Sequence, residues 1–260
     1  MIYLFNNGFS SSYINTARSA ISFFSLDKLK LGDNPIISRL FKFVYIERPL
    51  KAKYQTYWSV SKLLEFLKSW FPLEGLGLRE LTLKTLALIA LSCSDRGQTI
   101  HLMRIDRMSR EGDDLVFVIK DRTKSIRKVM KPLFVKCIST NDPTINVRVC
   151  VEEYISRTQS FRSSHVTNSS QLFLSWATHK PVCKATIARW LTKILELAGI
   201  DPKFKSHSFR GASLSEAKAR GASVKAIMAA GRWKNVSTFN NYYLAPSEES
   251  SIGQIILNDR

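Results

Sequence analysis

The apolar residues of this 260-residue chain keep a helical rhythm almost everywhere and break it once. That single break limits what the chain can fold into. Between residues 114 and 136 the three- and four-residue spacing gives way to short, dense apolar runs. Leu115-Val116-Phe117-Val118-Ile119-Lys120 reads as one strand and Lys128-Val129-Met130-Lys131-Pro132-Leu133-Phe134-Val135 as a second. Polar Asp121-Arg122-Thr123-Lys124-Ser125 supplies the connection. β-Branched and aromatic residues bounded by turn formers suit a pleated surface, and two strands joined this closely pair antiparallel. The chain is therefore expected to be mostly α with a small antiparallel β-sheet inserted early, an α+β fold.

Around that insertion the helical period is plain. Residues 11–24 place Tyr13, Ile14, Ala17, Ile21 and Phe24 on one face behind a serine cap. A second helix enters at Pro35 and runs to residue 45, since proline suits a first helical turn. Glu47-Arg48-Pro49-Leu50-Lys51-Ala52-Lys53 then reads as a linker, with a proline that breaks regular structure among solvent-seeking charges. Beyond it, Val60–Phe71 and Leu81–Cys93 read as amphipathic or buried helices. After the sheet, helices are expected over 147–157, 185–199, 211–220 and 223–230, with a last one near 237–244. Two domains follow: residues 1–50 and residues 51–260. The first is short for a domain of its own and reads as the tail of a helical domain that begins outside this sequence.

Composition narrows the function. Lys and Arg number 39 against 21 Asp and Glu, a net charge of +18, which points to a polyanionic partner. No apolar run reaches the roughly 18 residues of a membrane span; Leu86–Cys93 reads as a core helix. The start, Met1–Phe5, lacks the basic region and cleavage site of a secretory signal. Cys93, Cys137, Cys150 and Cys183 form no C-x-x-C pair and read as free thiols of a reducing compartment. No histidines stand in an H-x-x-x-H arrangement, and no metal site or cofactor is expected.

The sharpest stretch is His207-Ser208-Phe209-Arg210-Gly211-Ala212-Ser213. At a helix start, residues three apart address one point, so His207 and Arg210 can act together. Gly231-Arg232-Trp233 follows, and then Ser237-Thr238-Phe239-Asn240-Asn241-Tyr242-Tyr243. H-x-x-R, then Trp or His, then a tyrosine nine or ten residues on resembles the carboxy-terminal signature of the tyrosine recombinases, the phage-integrase family. Arg-Gly-Ala-Ser-x-Ser, Gly-x-Trp and Ser-Thr-Phe are most similar to the recombinases of eukaryotic DIRS-like and Crypton-like mobile elements. The resemblance spans about residues 55–246 and, more weakly, the opening segment. It implies a tyrosine-recombinase catalytic fold over 51–260 preceded by part of a helical, core-binding-like DNA-binding domain over 1–50.

The resemblance also assigns roles. It implies a first arginine after a buried helix and tight turn, which is Arg96. It implies a lysine in the hairpin, which is Lys124, eight residues before Pro132. A tyrosine hydroxyl would attack a DNA phosphate, forming a 3′-phosphotyrosyl bond and freeing a 5′-hydroxyl. Arg96 and Arg210 would bear the charge growing on the non-bridging oxygens. Lys124 would protonate the departing 5′-oxygen, and His207 would act as an acid/base partner of the tyrosine or the phosphate. Trp233 stands where His is common; its indole N–H donates a hydrogen bond but shuttles no proton. The reaction implied is metal-independent strand exchange on duplex DNA, by a self-associating, tetrameric enzyme in the nucleus.

Taken singly, each of these residues has an ordinary explanation: Arg96 as a helix-end charge, Lys124 as a hairpin tip, His207 and Trp233 as packing, Tyr242 and Tyr243 as an aromatic pair. Their order and spacing together lift the set. Thr99 stands where the family often has an acidic residue. Counting nine from Trp233 gives Tyr242, the phage-like register; the Phe239-led form gives Tyr243, which is favoured. On a helix the two differ by about 100°, so one of them faces the phosphate. The alternative reading is a catalytically inactive DNA-binding relic, or a domesticated derivative, of a mobile-element recombinase.

Overall fold

The computed structural model describes residues 1–24, 31–49, 54, 56–121, 132–162 and 170–233. The chain divides into two units, Met1–Lys53 and Tyr54–Arg260.

The first unit is helical. Helix α1 (Ile2–Asn6) precedes α2 (Ser11–Phe24) and α3 (Pro35–Glu47). Ser10 Oγ accepts from the Tyr13 amide at 3.2 Å, at the start of α2. Asn34 Oδ1 accepts from the Ile36 amide at 2.9 Å, with Pro35 at the first helical position of α3; capping of this kind is worth ~1 kcal/mol. The core is small: Ile14, Phe41 and Val44 are buried. Arg18 and Arg48 lay their guanidinium groups over the Phe41 and Phe5 rings, at 5.0 and 4.1 Å from the centroids. Four residues of the expected linker, 50–53, lie outside the described residues.

The second unit is organised by α5 (Leu78–Cys93), whose residues Leu81 to Ala90 are all buried. A helix that is apolar on every side needs neighbours on every side. Helix α7 (Val147–Arg162), α8 (Lys184–Leu197), α9 (Ser208–Ala219) and the short α6 (Gly97–His101) provide them. Lys84 is the exception inside α5. It is fully buried, and it satisfies its ammonium on the Trp70 carbonyl while facing the Phe71 ring 6.0 Å away. Burial pushes its pKa down. Helices α4 (Val60–Lys68) and α10 (Val224–Gly231) are the other helices among the described residues of this unit.

Among the described residues the sheet is antiparallel and three-stranded, in the order β1 (Met108–Glu111), β2 (Asp114–Ile119), β3 (Leu133–Cys137). Phe117 faces Met108 on one side and Val135 on the other. Leu133, Val135 and Cys137 point inward while Phe134 and Lys136 point out, the alternation of a half-buried strand. Strand β1 gives no apolar signal in the sequence because three of its four residues are exposed. Of the expected second strand, residues 128–131 lie outside the described residues, as does the expected helix near 237–244.

Helix α5 starts at Leu78 rather than Leu81, and α7 runs on to Arg162 rather than residue 157; two further helix boundaries differ from the sequence reading for identifiable reasons. Helix α4 stops at Lys68, not Phe71, because the residue before Pro72 is disfavoured in helix. Helix α9 begins at Ser208, three residues before Gly211. Gly211 lies inside the helix because the Tyr57 ring packs against it; a Cβ there would sit 2.2 Å from Tyr57 Cζ.

Candidate functional site

Three segments distant in sequence meet around Arg210. Helix α5 ends at Ser94, which adopts a left-handed conformation with φ 50°. Such a backbone costs a non-glycine residue of order 1–3 kcal/mol and persists only where its surroundings fix it. Here they do: Ser94 Oγ lies 2.8 Å from Ser213 Oγ, and the Ser94 carbonyl accepts from Arg210 Nη1 at 3.3 Å. The reversal allows Arg96 to open α6 as its N-cap residue; its carbonyl accepts from the Thr99 amide at 2.8 Å.

The third segment is 231–233. Arg210 Nη2 donates to the Gly231 carbonyl, and the Arg210 guanidinium carbon lies 4.6 Å from the Trp233 ring centroid. The Trp233 ring folds back over Gly231 so closely that a Cβ would meet its Cε3 at 2.3 Å, so only glycine fits. Arg232 caps α10, again with φ 50°, and both of its terminal nitrogens bond the Asp95 carboxylate, Nη2 to Oδ2 at 3.1 Å. The Asp95 side chain is only 2% exposed and that of Arg232 26%. Arg96 and Trp233 are thus each the immediate neighbour of one half of a partly buried, bidentate ion pair.

His207 stands one helical turn before Arg210 as the N-cap residue of α9, and it is exposed. Its Nε2 lies 3.0 Å from the Tyr54 hydroxyl, and the two rings stack with centroids 5.3 Å apart and planes 28° from parallel. Tyr54 also packs on Phe204 and accepts from the Lys205 amide at 3.3 Å. Burial raises the Tyr54 pKa, and the Lys205 amide opposes that shift. Below this edge, Trp58 Nε1 donates to Ser208 Oγ at 2.8 Å and packs edge-on against Phe209, fixing the first turn of α9 to the core.

Of the residues singled out from the sequence, Arg210, Trp233 and the turn that carries Arg96 come together, with His207 on the adjacent turn. Lys124, Tyr242 and Tyr243 lie outside the described residues. Sequence reasoning missed Asp95, Arg232 and Tyr54. The one local signal was for the first two, opposite charges directly beside Arg96 and Trp233, and it does not pair them with each other. Tyr54 gave none. Chemically the cluster can neutralise an anion and donate hydrogen bonds to it. Among the described residues no group of three His, Cys, Asp or Glu side chains could hold a metal ion, and no helix is long and apolar enough to cross a membrane.

Comparison with known proteins agrees in extent with this second unit. The phage integrase family model matches residues 58–249. No curated protein sequence matches the chain. Among solved structures, the Tn1549 transposon integrase in complex with transposon right-end DNA superposes with a TM-score of 0.61 at 11% identity, covering 98% of this chain and 81% of that one. The XerH site-specific recombinase in a post-cleavage complex with its palindromic difH substrate gives 0.55 at 15% identity, over 91% and 69%. The XerA recombinase gives 0.54 at 14% identity, over 97% and 84%. At these identities the likeness is one of fold.

Proposed function

Because the chain belongs to the phage integrase family, the tyrosine recombinases, we propose that it cuts and rejoins duplex DNA through a 3′-phosphotyrosyl intermediate. One observation carries the reading: Arg210 joins the turn of Arg96 to the segment of Trp233 across more than a hundred residues of chain. A fully charged guanidinium held by backbone carbonyls on its inner side is a fixed positive group, the feature that stabilises a transition state without reorganising.

In the proposed reaction the phenolate oxygen of Tyr243, or of Tyr242 in the other register, attacks phosphorus. The bond to the 5′-oxygen breaks, and Lys124 gives that oxygen its proton. Arg96 and Arg210 hold the non-bridging oxygens, Trp233 donates its indole N–H, and His207 holds or moves a proton at the phosphate or the phenol. The phosphotyrosyl bond conserves the energy of the broken ester until a second 5′-hydroxyl reverses the step. Arg210-Gly211-Ala212-Ser213-Leu214-Ser215 and Gly231-Arg232-Trp233 support placing the protein with the recombinases of DIRS-like and Crypton-like mobile elements. On that reading it works in the nucleus as a tetramer on two DNA sites, with residues 1–50 as part of the DNA-binding arm and residues 51–260 as the catalytic domain.

The test is a nicked suicide duplex, scored for a covalent protein–DNA adduct. Wild type is expected to form it, Tyr243→Phe to abolish it with DNA binding intact, and Tyr242→Phe to be mild. The reverse pattern establishes the phage-like register. No adduct from wild type, with duplex binding that weakens steeply between roughly 50 and 200 mM salt, identifies a DNA-binding relic.

A further inference from the structure

We infer that Arg232 and Asp95 are positioning residues: their ion pair sets the Trp233 segment against the turn that carries Arg96. The inference rests on the strand-transfer reading above and adds two residues to it.

Helix α10 ends in an unusual way. The Arg232 amide donates to the Ala229 carbonyl and the Trp233 amide to the Met228 carbonyl, each at 3.1 Å. That pair of bonds closes a helix through one left-handed residue, a place where glycine is usual. Here the left-handed residue is Arg232, with φ 50°. Glycine would hold the same turn without strain. A strained residue that persists where a relaxed one would serve points to a task for its side chain.

The surroundings of α10 show what that task is. Its buried apolar contacts lie toward α9, where Leu214 and Ile227 form a small cluster with Ala222, Met228 and Trp233. Toward β3 the described residues leave an open groove of about 450 Å³, with Ala229 and Ala230 on one side and Phe134 and Lys136 on the other. The Arg232 guanidinium reaches from the end of α10 to the Asp95 carboxylate, and its Nη2 lies 3.5 Å from the Phe134 carbonyl. A planar guanidinium bonded at two points to a buried carboxylate fixes orientation as well as distance. Asp95 directly precedes Arg96, and Arg232 directly precedes Trp233. The pair therefore sets two proposed phosphate-binding groups against each other. Arg210 joins the same segments through the Ser94 and Gly231 carbonyls. Two links between two segments resist a pivot that one link permits.

The experiment uses the full chain with Arg232→Gly, Asp95→Asn and the double variant. Arg232→Gly keeps the helix end and relieves its backbone while deleting the side chain. Asp95→Asn is isosteric and keeps the arginine. Single-turnover adduct formation on the nicked suicide duplex, at saturating DNA, should fall between about 10- and 100-fold in each, the cost of misplacement near a reacting centre. The double variant should be no slower than the slower single one, because the pair acts as a unit. Duplex affinity of Asp95→Asn should stay within about twofold of wild type. In parallel, the Trp233 indole N–H resonance, identified by its loss in Trp233→Phe, should shift in both single variants. These results together uphold the assignment. Losses that multiply overturn it, since the two residues then act separately. An unchanged rate in Asp95→Asn overturns it as well, leaving Arg232 as a plain DNA contact. A slower rate with an unmoved indole resonance overturns it too, because the loss then does not pass through the Trp233 segment. Should wild type form no adduct, the strand-transfer reading has failed on its own account and the resonance alone judges the pair: a shift on Asp95→Asn upholds the positioning, and no shift overturns it.

Discussion

His207 and Arg210 belong to one short motif and one turn of α9, yet they live in opposite surroundings. Arg210 is 4% exposed, bonded to two backbone carbonyls and covered by the Trp233 ring. His207 is exposed, and a phenol meets one edge of its ring. The difference separates two tasks. Arg210 is both part of the frame and part of the proposed site, so the fold cannot lose it cheaply. On the proposed reading, replacing His207 should disturb the frame less than the chemistry. A motif that reads as one unit in sequence is, in three dimensions, a buried structural hub beside an exposed histidine.

Arg210→Ala tests the first half with the largest expected effect. Two carbonyls lose a charged donor and the Trp233 ring loses its cation, so unfolding by urea should show a loss of roughly 3–5 kcal/mol. The adduct should vanish as well. Full stability retained in this variant would break the comparison. Arg232→Ala comes next. It leaves the buried Asp95 carboxylate without its partner; because Arg232 is partly exposed, solvent screening tempers the cost to about 2 kcal/mol. Asp95→Asn together with Arg232→Ala should recover part of it, and a double-mutant cycle measures the coupling. Adduct formation should fall in both single variants, since Asp95 and Arg232 directly precede Arg96 and Trp233 in the chain.

How far the sequence reveals this arrangement depends on the range of the interaction. Helices α2, α3 and α5 are legible because their caps and apolar faces are local: Asn34 before Pro35, and the apolar run Leu86-Ala87-Leu88-Ile89-Ala90-Leu91. The switch of period at β2 is legible for the same reason. Strand β1 is not, since Met108–Glu111 buries too little to mark a face. In α9 the local rule misleads, because Gly211 looks like a helix breaker until the Tyr57 ring pressed against it is seen. The candidate site residues Arg96, His207, Arg210 and Trp233, whose types the proposed chemistry would dictate, are singled out by order and spacing. The contacts around them are not. Tyr54 reaches His207 across 153 residues and Asp95 reaches Arg232 across 137, and nothing local to either partner encodes the other.

His207→Gln tests the second half of the comparison. Replacing an exposed N-cap residue with no side-chain hydrogen bond to its helix should cost no more than about 1–2 kcal/mol, the worth of the hydrogen bond and ring stack it makes with Tyr54. Loss of a general acid–base group slows a reaction by roughly 10²–10⁴-fold, and the adduct rate should fall into that range with duplex affinity nearly unchanged. A large drop in melting temperature would show that His207 shares the structural task of Arg210.

The smallest effect concerns which histidine the fold itself feels. His101 ends α6, the helix opened by Arg96, and its Nδ1 lies 2.9 Å from Gln171 Nε2. The Gln171 amide donates there, and it can do so only while Nδ1 is unprotonated. Burial lowers the His101 pKa and the nearby Lys184 charge pushes the same way, against a smaller opposing effect of the Val182 carbonyl. The folded state therefore resists protonation that the unfolded chain accepts near pH 6.5. Over that interval the unfolded chain binds more protons, so stability falls with pH from about 6.5 down to the lower folded value and levels off below it. His101→Gln should flatten this acid limb in urea titrations between about pH 7.5 and 5. A limb that survives His101→Gln unchanged would show that the fold does not resist protonation at His101, and that the Gln171 amide is not what keeps its Nδ1 bare.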